Sequence, residues 1–344
     1  MTHTVRSIIF FYLFCSAAGC AECANDATVR FLDTAFLKQP TAVRAALKCE
    51  GFKRVFFRSA DNLKLDAFYL ERPESTCNII LCAGWLPGRK EGMATFYSLL
   101  PSTTNVLLFD ARGHGRSQGP LLTNLWNYGV DEYKDVIGAL AFVRQHNELP
   151  TIIIGLCAGA FHAAHALLAL QHQGTLAQYH VHGLVFDSGW ASVDRVSRTA
   201  LPVHMCGIVR SLAGTITGRR LDRQGTQDGM ATRAVIAAFQ HFYRWGHRVV
   251  YAPFVRKNEL QTNLFDKMAR LQVPVLFIHA SDDAYVAFED VRRLYKATPF
   301  ADAWWITEPS KHACHHLKHT EAYGVHLQEF LERCTSVPDE SEER

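Results

Sequence analysis

One sulfur nucleophile stands between two glycines in Gly155-Leu156-Cys157-Ala158-Gly159. Thr151-Ile-Ile-Ile before it reads as a short buried strand, and the alanine-rich run from Ala158 to about Gln171 reads as a helix. A turn that sharp leaves no room for flanking side chains, and it holds its central residue in a strained backbone conformation. The side chain is then presented at a helix N-terminus, where the dipole favours a thiolate. The plainer reading is a glycine-bounded strand–helix turn that holds an ordinary buried cysteine. A second chemistry-bearing group lies near the C-terminus, where His312, His315, His316 and His319 cluster with Cys314. Their three- and four-residue spacing pairs His312 with His316 and His315 with His319 on shared helix faces, which also fits a metal site.

Several elements must position these residues. Arg54–Arg58 and Leu63–Leu70 flank the turn-prone Ser59-Ala-Asp-Asn62, so they predict an antiparallel hairpin. Asn78–Ala83 and Asn105–Asp110 predict two further strands, with a helix over 91–100 between them. A helix over 129–145 leads to the cysteine strand, and His182–Asp187 is the strand after it. Residues 190–270 then break the rhythm with a helical, glycine-interrupted pattern. It resumes with strand Val273–His279, helix Phe288–Lys296, strand Ala303–Ile306 and a final helix from His316 to Arg333. Upstream, 26–50 predict one or two short helices around Pro40. A hairpin followed by alternating strands and helices implies an α/β protein with a mostly parallel sheet covered on both faces.

The 344 residues, 48% of them hydrophobic, are enough for a large core, and a net charge of +3 argues against a dedicated nucleic-acid partner. Residues 1–20 follow the charged, apolar, small-residue order of a secretory signal, and the apolar run is too short to span a bilayer. Ser16-Ala-Ala-Gly-Cys20 resembles a bacterial lipobox, with Ala17 where leucine is preferred. Cys20 would then carry a lipid and tie the chain to a membrane. The expected location is the periplasm, a lipoprotein anchor or the medium. In an oxidising compartment Cys23, Cys49, Cys77, Cys206, Cys314 and Cys334 are open to pairing, whereas Cys82 reads as a buried small apolar residue. The tail, 336–344, is charged and expected to be disordered.

From about residue 53 to 333 the chain resembles the α/β-hydrolase superfamily, in its esterase and peptidase-like branch. Several ordered features carry the resemblance. Cys82-Ala83-Gly84-Trp85 corresponds to the oxyanion strand, with alanine in place of the usual histidine. Asp110-x-Arg112-Gly113-His114-Gly115-x-Ser117 is similar to a turn typical of that family. Cys157 occupies the nucleophile elbow, as cysteine does in dienelactone hydrolases. The resemblance implies Asp283, four residues after His279, as the acid and His312 as the base. Asp187 is the alternative acid, and Asp282 reads as a turn or cap residue. It also implies an oxyanion hole made by the N–H groups of Trp85 and Ala158, although Trp85 could equally wall the pocket. Asp110, Arg112, His114 and Ser117 read as structural, and His162 and His165 as packed.

The implied organisation is a signal over 1–20, a helical extension over 21–52, a hydrolase core over 53–189 and 271–335, and an inserted helical cap over 190–270. Between Asp194 and Glu259, eleven Lys and Arg face four Asp and Glu. That surplus of seven would favour an anionic substrate or membrane surface, or simply a solvated helical face. The cap aromatics Phe239, Phe242, Tyr243, Trp245, Tyr251 and Phe254 would line an acyl pocket or pack the cap. The expected activity is cleavage of an ester, thioester or lactone on a small-molecule or lipid-like acyl substrate, through Cys157, His312 and Asp283 and without a cofactor. An acyltransferase with the same triad, or a non-catalytic binding protein on this fold, are the rival expectations.

Overall fold

The computed structural model describes residues 40–85, 88–119, 128–200, 258, 262–310 and 312–336. The expectations for the signal and Cys20, for Cys23 and Cys206, for most of the cap with its charge surplus and aromatics, and for the tail fall outside the described residues.

Eight strands form one sheet in the order β1-β2-β4-β3-β5-β6-β7-β8. Strands β1 (Lys53–Arg58) and β2 (Lys64–Leu70) make the antiparallel hairpin, which joins antiparallel to β4 (Thr104–Phe109). From β4 onward, β3 (Cys77–Cys82), β5 (Thr151–Leu156), β6 (Val181–Asp187), β7 (Val275–Ala280) and β8 (Ala301–Ile306) run parallel. Strands β3, β4 and β7 are buried along their whole length, as a parallel sheet covered on both faces requires. Their runs of Ile, Leu and Val therefore show no alternation. The edge strands do carry exposed positions: Phe56 on β1 is exposed, and the Lys64 ammonium lies 4.2 Å from its ring centre.

One core packs α3 (Tyr133–His146), α4 (Ala158–His172) and α5 (Phe288–Ala297) on one face of the sheet. The other gathers α1 (Pro40–Cys49), α2 (Ala94–Tyr97) and α7 (Thr320–Thr335) around Phe96, Tyr323 and Phe330. No helix among the described residues is long and apolar enough to cross a membrane.

Four local expectations need correction. The helix over 91–100 shrinks to a tight turn at Lys90–Met93 followed by α2, because Lys90 and Glu91 are drawn into buried ion pairs. Helix α3 starts at Tyr133 rather than 129: Gly129 has φ 89° and its N–H donates to the Glu132 carboxylate at 2.8 Å, forming a turn first. The final helix breaks at His319 (φ −122°, ψ 46°), separating α6 (His315–Lys318) from α7. Cys49, Cys77, Cys314 and Cys334 are free thiols, so no disulfide joins them to one another. Burial raises the thiol of Cys77 to about 11 and that of Cys334 to about 12, leaving both as inert core groups.

Candidate active site

Strand β5 ends at Leu156 and α4 starts at Ala158, so the whole change of direction falls on Cys157. Its φ of 57° and ψ of −115° lie in a region that non-glycine residues rarely enter. The flanking glycines are required by contact. A Cβ on Gly159 would collide with the Cys82 carbonyl oxygen, and one on Gly155 with the backbone of Ala160. The Cys157 N–H donates to the Asp187 carbonyl at 2.7 Å, which ties the elbow to the end of β6. The sulfur is thus held at the N-terminus of a 15-residue helix.

Two loops converge on that sulfur. His312, past the end of β8, places Nε2 3.0 Å from Cys157 Sγ, and its Nδ1 lies 2.7 Å from Asp283 Oδ2. Asp283, in the loop after β7, is fixed by its other oxygen, which accepts the N–H groups of Tyr285 (2.8 Å) and Val286 (3.1 Å). Burial opposes ionisation of Asp283, but the His312 hydrogen bond and charge and the backbone donors hold its pKa below the usual carboxylate value. Burial also opposes charging of His312, yet the Cys157 sulfur and the Asp283 carboxylate raise it well above an ordinary imidazole. The ring of Tyr285 stacks on His312 at 4.8 Å and 21°, covering one face of the imidazole.

The alternatives go elsewhere. Asp187 directs its carboxylate to Ser188 and Tyr323 rather than to His312. Asp282 caps the N–H of Ser310 at 3.2 Å, a turn role that steadies the histidine loop. His315 bonds to Ser188 and Ser310, while His316 stacks on Phe96 at 4.0 Å and meets Thr95 Oγ1 at 3.0 Å. The clustered histidines thus take different partners, His319 lying edge-on to Trp304 at 6.4 Å, and among the described residues no group of three His, Cys, Asp or Glu is placed to hold a metal. His162 pairs with the Tyr128 hydroxyl and His165 with the Thr262 carbonyl; both are buried residues of α4.

The two backbone donors expected to face an oxyanion flank the sulfur: Ala158 opens α4, and Trp85 follows β3 by way of Gly84, which packs against Cys157 Cβ. The Trp85 side chain lies on Tyr128 at 5.3 Å and walls a small cavity with Ala158, Tyr128, Glu132 and His162.

The 110–117 turn fastens this loop in place. His114 spans two carbonyl oxygens, with Nδ1 3.0 Å from Arg112 and Nε2 2.8 Å from Trp85. Ser117 donates to the Asp110 carbonyl at 2.6 Å, and Arg112 pairs with Asp135 and Asp61, each at 2.8 Å. Sequence reasoning missed the partner of this turn. Lys90, only 2% exposed, sets Nζ 2.6 Å from both Asp66 Oδ2 and Asp110 Oδ2. Arg54 reaches Asp66 at 2.7 Å and Arg44 reaches Glu91 at 2.6 Å. Despite burial, Lys90, Arg44 and Arg89 hold the Glu91 carboxyl at about 2. The only signal in the sequence was the charged run Arg89-Lys90-Glu91 shortly after an apolar strand.

Comparison with known proteins agrees with this architecture. The family model described as serine aminopeptidase, S33 matches residues 73–316, which include Cys157, Asp283 and His312. The chain belongs to that family of α/β-hydrolases, with cysteine at the elbow. It is similar to the uncharacterized protein YqkD of Bacillus subtilis (strain 168), 26% identical over 266 residues, 77% of this chain and 74% of that one. Among solved structures it resembles the Pyrococcus furiosus esterase Pf2001 (TM-score 0.58, 17% identity, covering 83% of this chain and 92% of that one). It also resembles the esterase RhEst1 from Rhodococcus sp. ECU1013 (TM-score 0.54, 17% identity, 81% and 98% covered).

Proposed function

We propose that this α/β-hydrolase cleaves a carboxylic ester, thioester or lactone through a Cys157–His312–Asp283 triad with a covalent acyl-thioester intermediate. The observation that carries this reading is the unbroken chain of contacts from Asp283 Oδ2 through His312 to Cys157 Sγ, at 2.7 and 3.0 Å. The naming of the Pyrococcus and Rhodococcus neighbours as esterases supports an ester as the bond cleaved.

In this mechanism His312 takes the thiol proton, and the sulfur attacks the carbonyl carbon. The carbonyl oxygen becomes an oxyanion facing the N–H groups of Trp85 and Ala158. Collapse breaks the carbon–oxygen bond of the ester, and His312 passes its proton to the departing alkoxide. Water then enters, gives a proton to His312 and adds to the thioester carbon. The thiolate leaves, the acid is released, and the proton returns to sulfur. The dense hydrogen bonding at Asp283 keeps the imidazole in the orientation both half-reactions need.

The substrate we propose is a small or lipid-like acyl compound, anionic if the basic surplus in the cap faces the pocket. Residues 1–20 support export, with Cys20 as a lipid anchor. A mass shift from fatty-acyl labelling that disappears with Cys20→Ala would support the anchor.

The test of the activity is an acid-quenched reaction with 4-nitrophenyl acetate, analysed by peptide mass mapping. An acetyl group on Cys157 that turns over, and that is lost together with turnover in Cys157→Ala, is the expected result. Absence of both adduct and turnover would leave a binding protein on a hydrolase fold, and rapid transfer of the acetyl group to an added alcohol or amine would make it a transferase.

A further inference from the structure

A second polar knot lies beside the histidine loop. Ser188, the first residue after β6, has φ 53°, and Ala313, next to His312, has φ 56°. Both are uncommon for residues with a side chain, and one hydroxyl joins them: the Ala313 N–H donates to Ser188 Oγ at 3.2 Å. Asp187, Ser188, His315 and Tyr323 are all fully buried.

The proton positions in this knot follow from counting donors and acceptors. Ser188 Oγ lies 2.8 Å from Asp187 Oδ1, and only the hydroxyl proton can sit between them. Ser188 therefore accepts from His315 Nε2–H at 2.9 Å as well as from Ala313. His315 Nδ1 lies 2.7 Å from the Ser310 hydroxyl, and the Tyr323 hydroxyl donates to Asp187 Oδ2 at 3.0 Å. Every polar group in the knot then has a partner. The opposite choice, with Ser188 donating to His315, would set two bare acceptors against each other.

The same dipeptide also holds the other side of the site. The Asp187 carbonyl takes the Cys157 N–H at 2.7 Å, and the Ser188 N–H donates to the Ile278 carbonyl at 2.9 Å. Sulfur and imidazole, separated by 155 positions in the chain, are thus referenced to two adjacent residues at the end of one strand. We infer that Ser188 is a positioning residue for His312, its hydroxyl oxygen pinning the Ala313 N–H so that the imidazole stays on the Cys157 sulfur. This inference rests on the proposed triad.

Titratable groups surround the knot: Asp187 from β6, His279 and Asp283 from β7 and its loop, His312 and His316 on either side of His315, and Tyr323 from α7. Ser188→Gly alters none of these charges. It removes the hydroxyl while accepting the positive φ, so its effect reports position rather than strain or charge.

The experiment measures iodoacetamide alkylation of Cys157 against pH in wild type and Ser188→Gly, with the site followed by peptide mass mapping because Cys49 is also exposed. Loss of the pin should slow alkylation about ten- to a hundredfold at about pH 6, where sulfur needs the imidazole to ionise. At about pH 10 the two proteins should react alike, since hydroxide can take the thiol proton in place of the imidazole. Equal rates at low pH, or an equal loss at every pH, would overturn the inference. A crystal structure of Ser188→Gly gives a readout independent of activity. A His312–Cys157 distance still at the wild-type 3.0 Å overturns the positioning role, and a displaced ring supports it. If wild-type Cys157 lacks low-pH reactivity, the triad falls and that distance alone decides the role of Ser188.

Discussion

Replacing Asp283 with asparagine tests the site at the point where one atom changes and the fold has most reason to survive. The Asp283 Oδ1 bonds to the Tyr285 and Val286 N–H groups persist, because the amide oxygen can take them over. The other position changes from an acceptor 2.7 Å from His312 Nδ1 to an N–H donor. The ring must then accept at Nδ1 and carry its proton on Nε2, pointing at the sulfur, where it cannot take the thiol proton. A hydrogen bond to a buried charged group contributes about 1.5–3 kcal/mol. Transfer of the thiol proton to His312 therefore becomes about ten- to a hundredfold less favourable. Acylation needs the same tautomer again in the transition state, and in serine triads this substitution lowers kcat about 10⁴-fold. The sign with pH follows from His312: the sulfur and the Asp283 carboxylate hold its pKa well above an ordinary imidazole, which favours the imidazolium formed when it takes the thiol proton, so the variant, without the carboxylate, should show its largest deficit in mild acid. The assay is kcat/KM for 4-nitrophenyl acetate across pH, with urea unfolding as a check on the fold. A variant within about threefold of wild type throughout would refute the proposed role of Asp283.

Two further outcomes concern the scaffold. Lys90→Met leaves the carboxylates of Asp66 and Asp110 facing each other without the ammonium that now sits 2.6 Å from each, and breaking such a buried pair should cost about 3–5 kcal/mol in urea unfolding. A loss below about 1 kcal/mol would mean that Arg54 and Arg89 suffice. His316 has its pKa lowered by burial to about 4, so the unfolded chain takes up a proton between pH 6.5 and that value while the folded one does not, and stability drops as pH falls through this window. His316→Gln removes that contribution, so relative to wild type it should be about 2 kcal/mol better off at pH 5 than at pH 7, measured by chemical denaturation at both pH values; an unchanged difference would refute the assignment.

The parts legible in the sequence were those with a local signature. The elbow, the hairpin and the parallel strands all follow from apolar runs and glycine spacing, and Asp283 was preferred over Asp282 from its offset after β7. What remained hidden depends on partners far apart in the chain. Nothing local says that Lys90 is buried, because an Arg-Lys-Glu run ordinarily marks solvent; only the approach of Asp66 and Asp110 makes its burial tolerable. Ser188 and His315 were equally silent, since a serine after a strand and a histidine in a cluster carry no geometry of their own. The helix over 91–100 was overestimated for a related reason: its first residues serve the ion cluster instead of helical propensity.

The order of the strands gives the site a place in time as well as in space. Cys157 follows β5, well inside the sheet, and its turn closes with the adjacent α4. His312 lies beyond β8, at the far edge and 155 residues later. A chain that has assembled the centre of the sheet but not its last edge therefore holds a formed elbow whose thiol has no imidazole beside it. Long-range parallel pairing is intrinsically slow, and the β6–β7 pairing on the way to that edge joins residues as far apart as Leu184 and Val275. If the proposed triad holds, chemical reactivity would follow docking of that edge and not formation of the nucleophile turn. In a refolding experiment, the onset of Cys157 alkylation in mild acid would act as a clock for completion of the sheet.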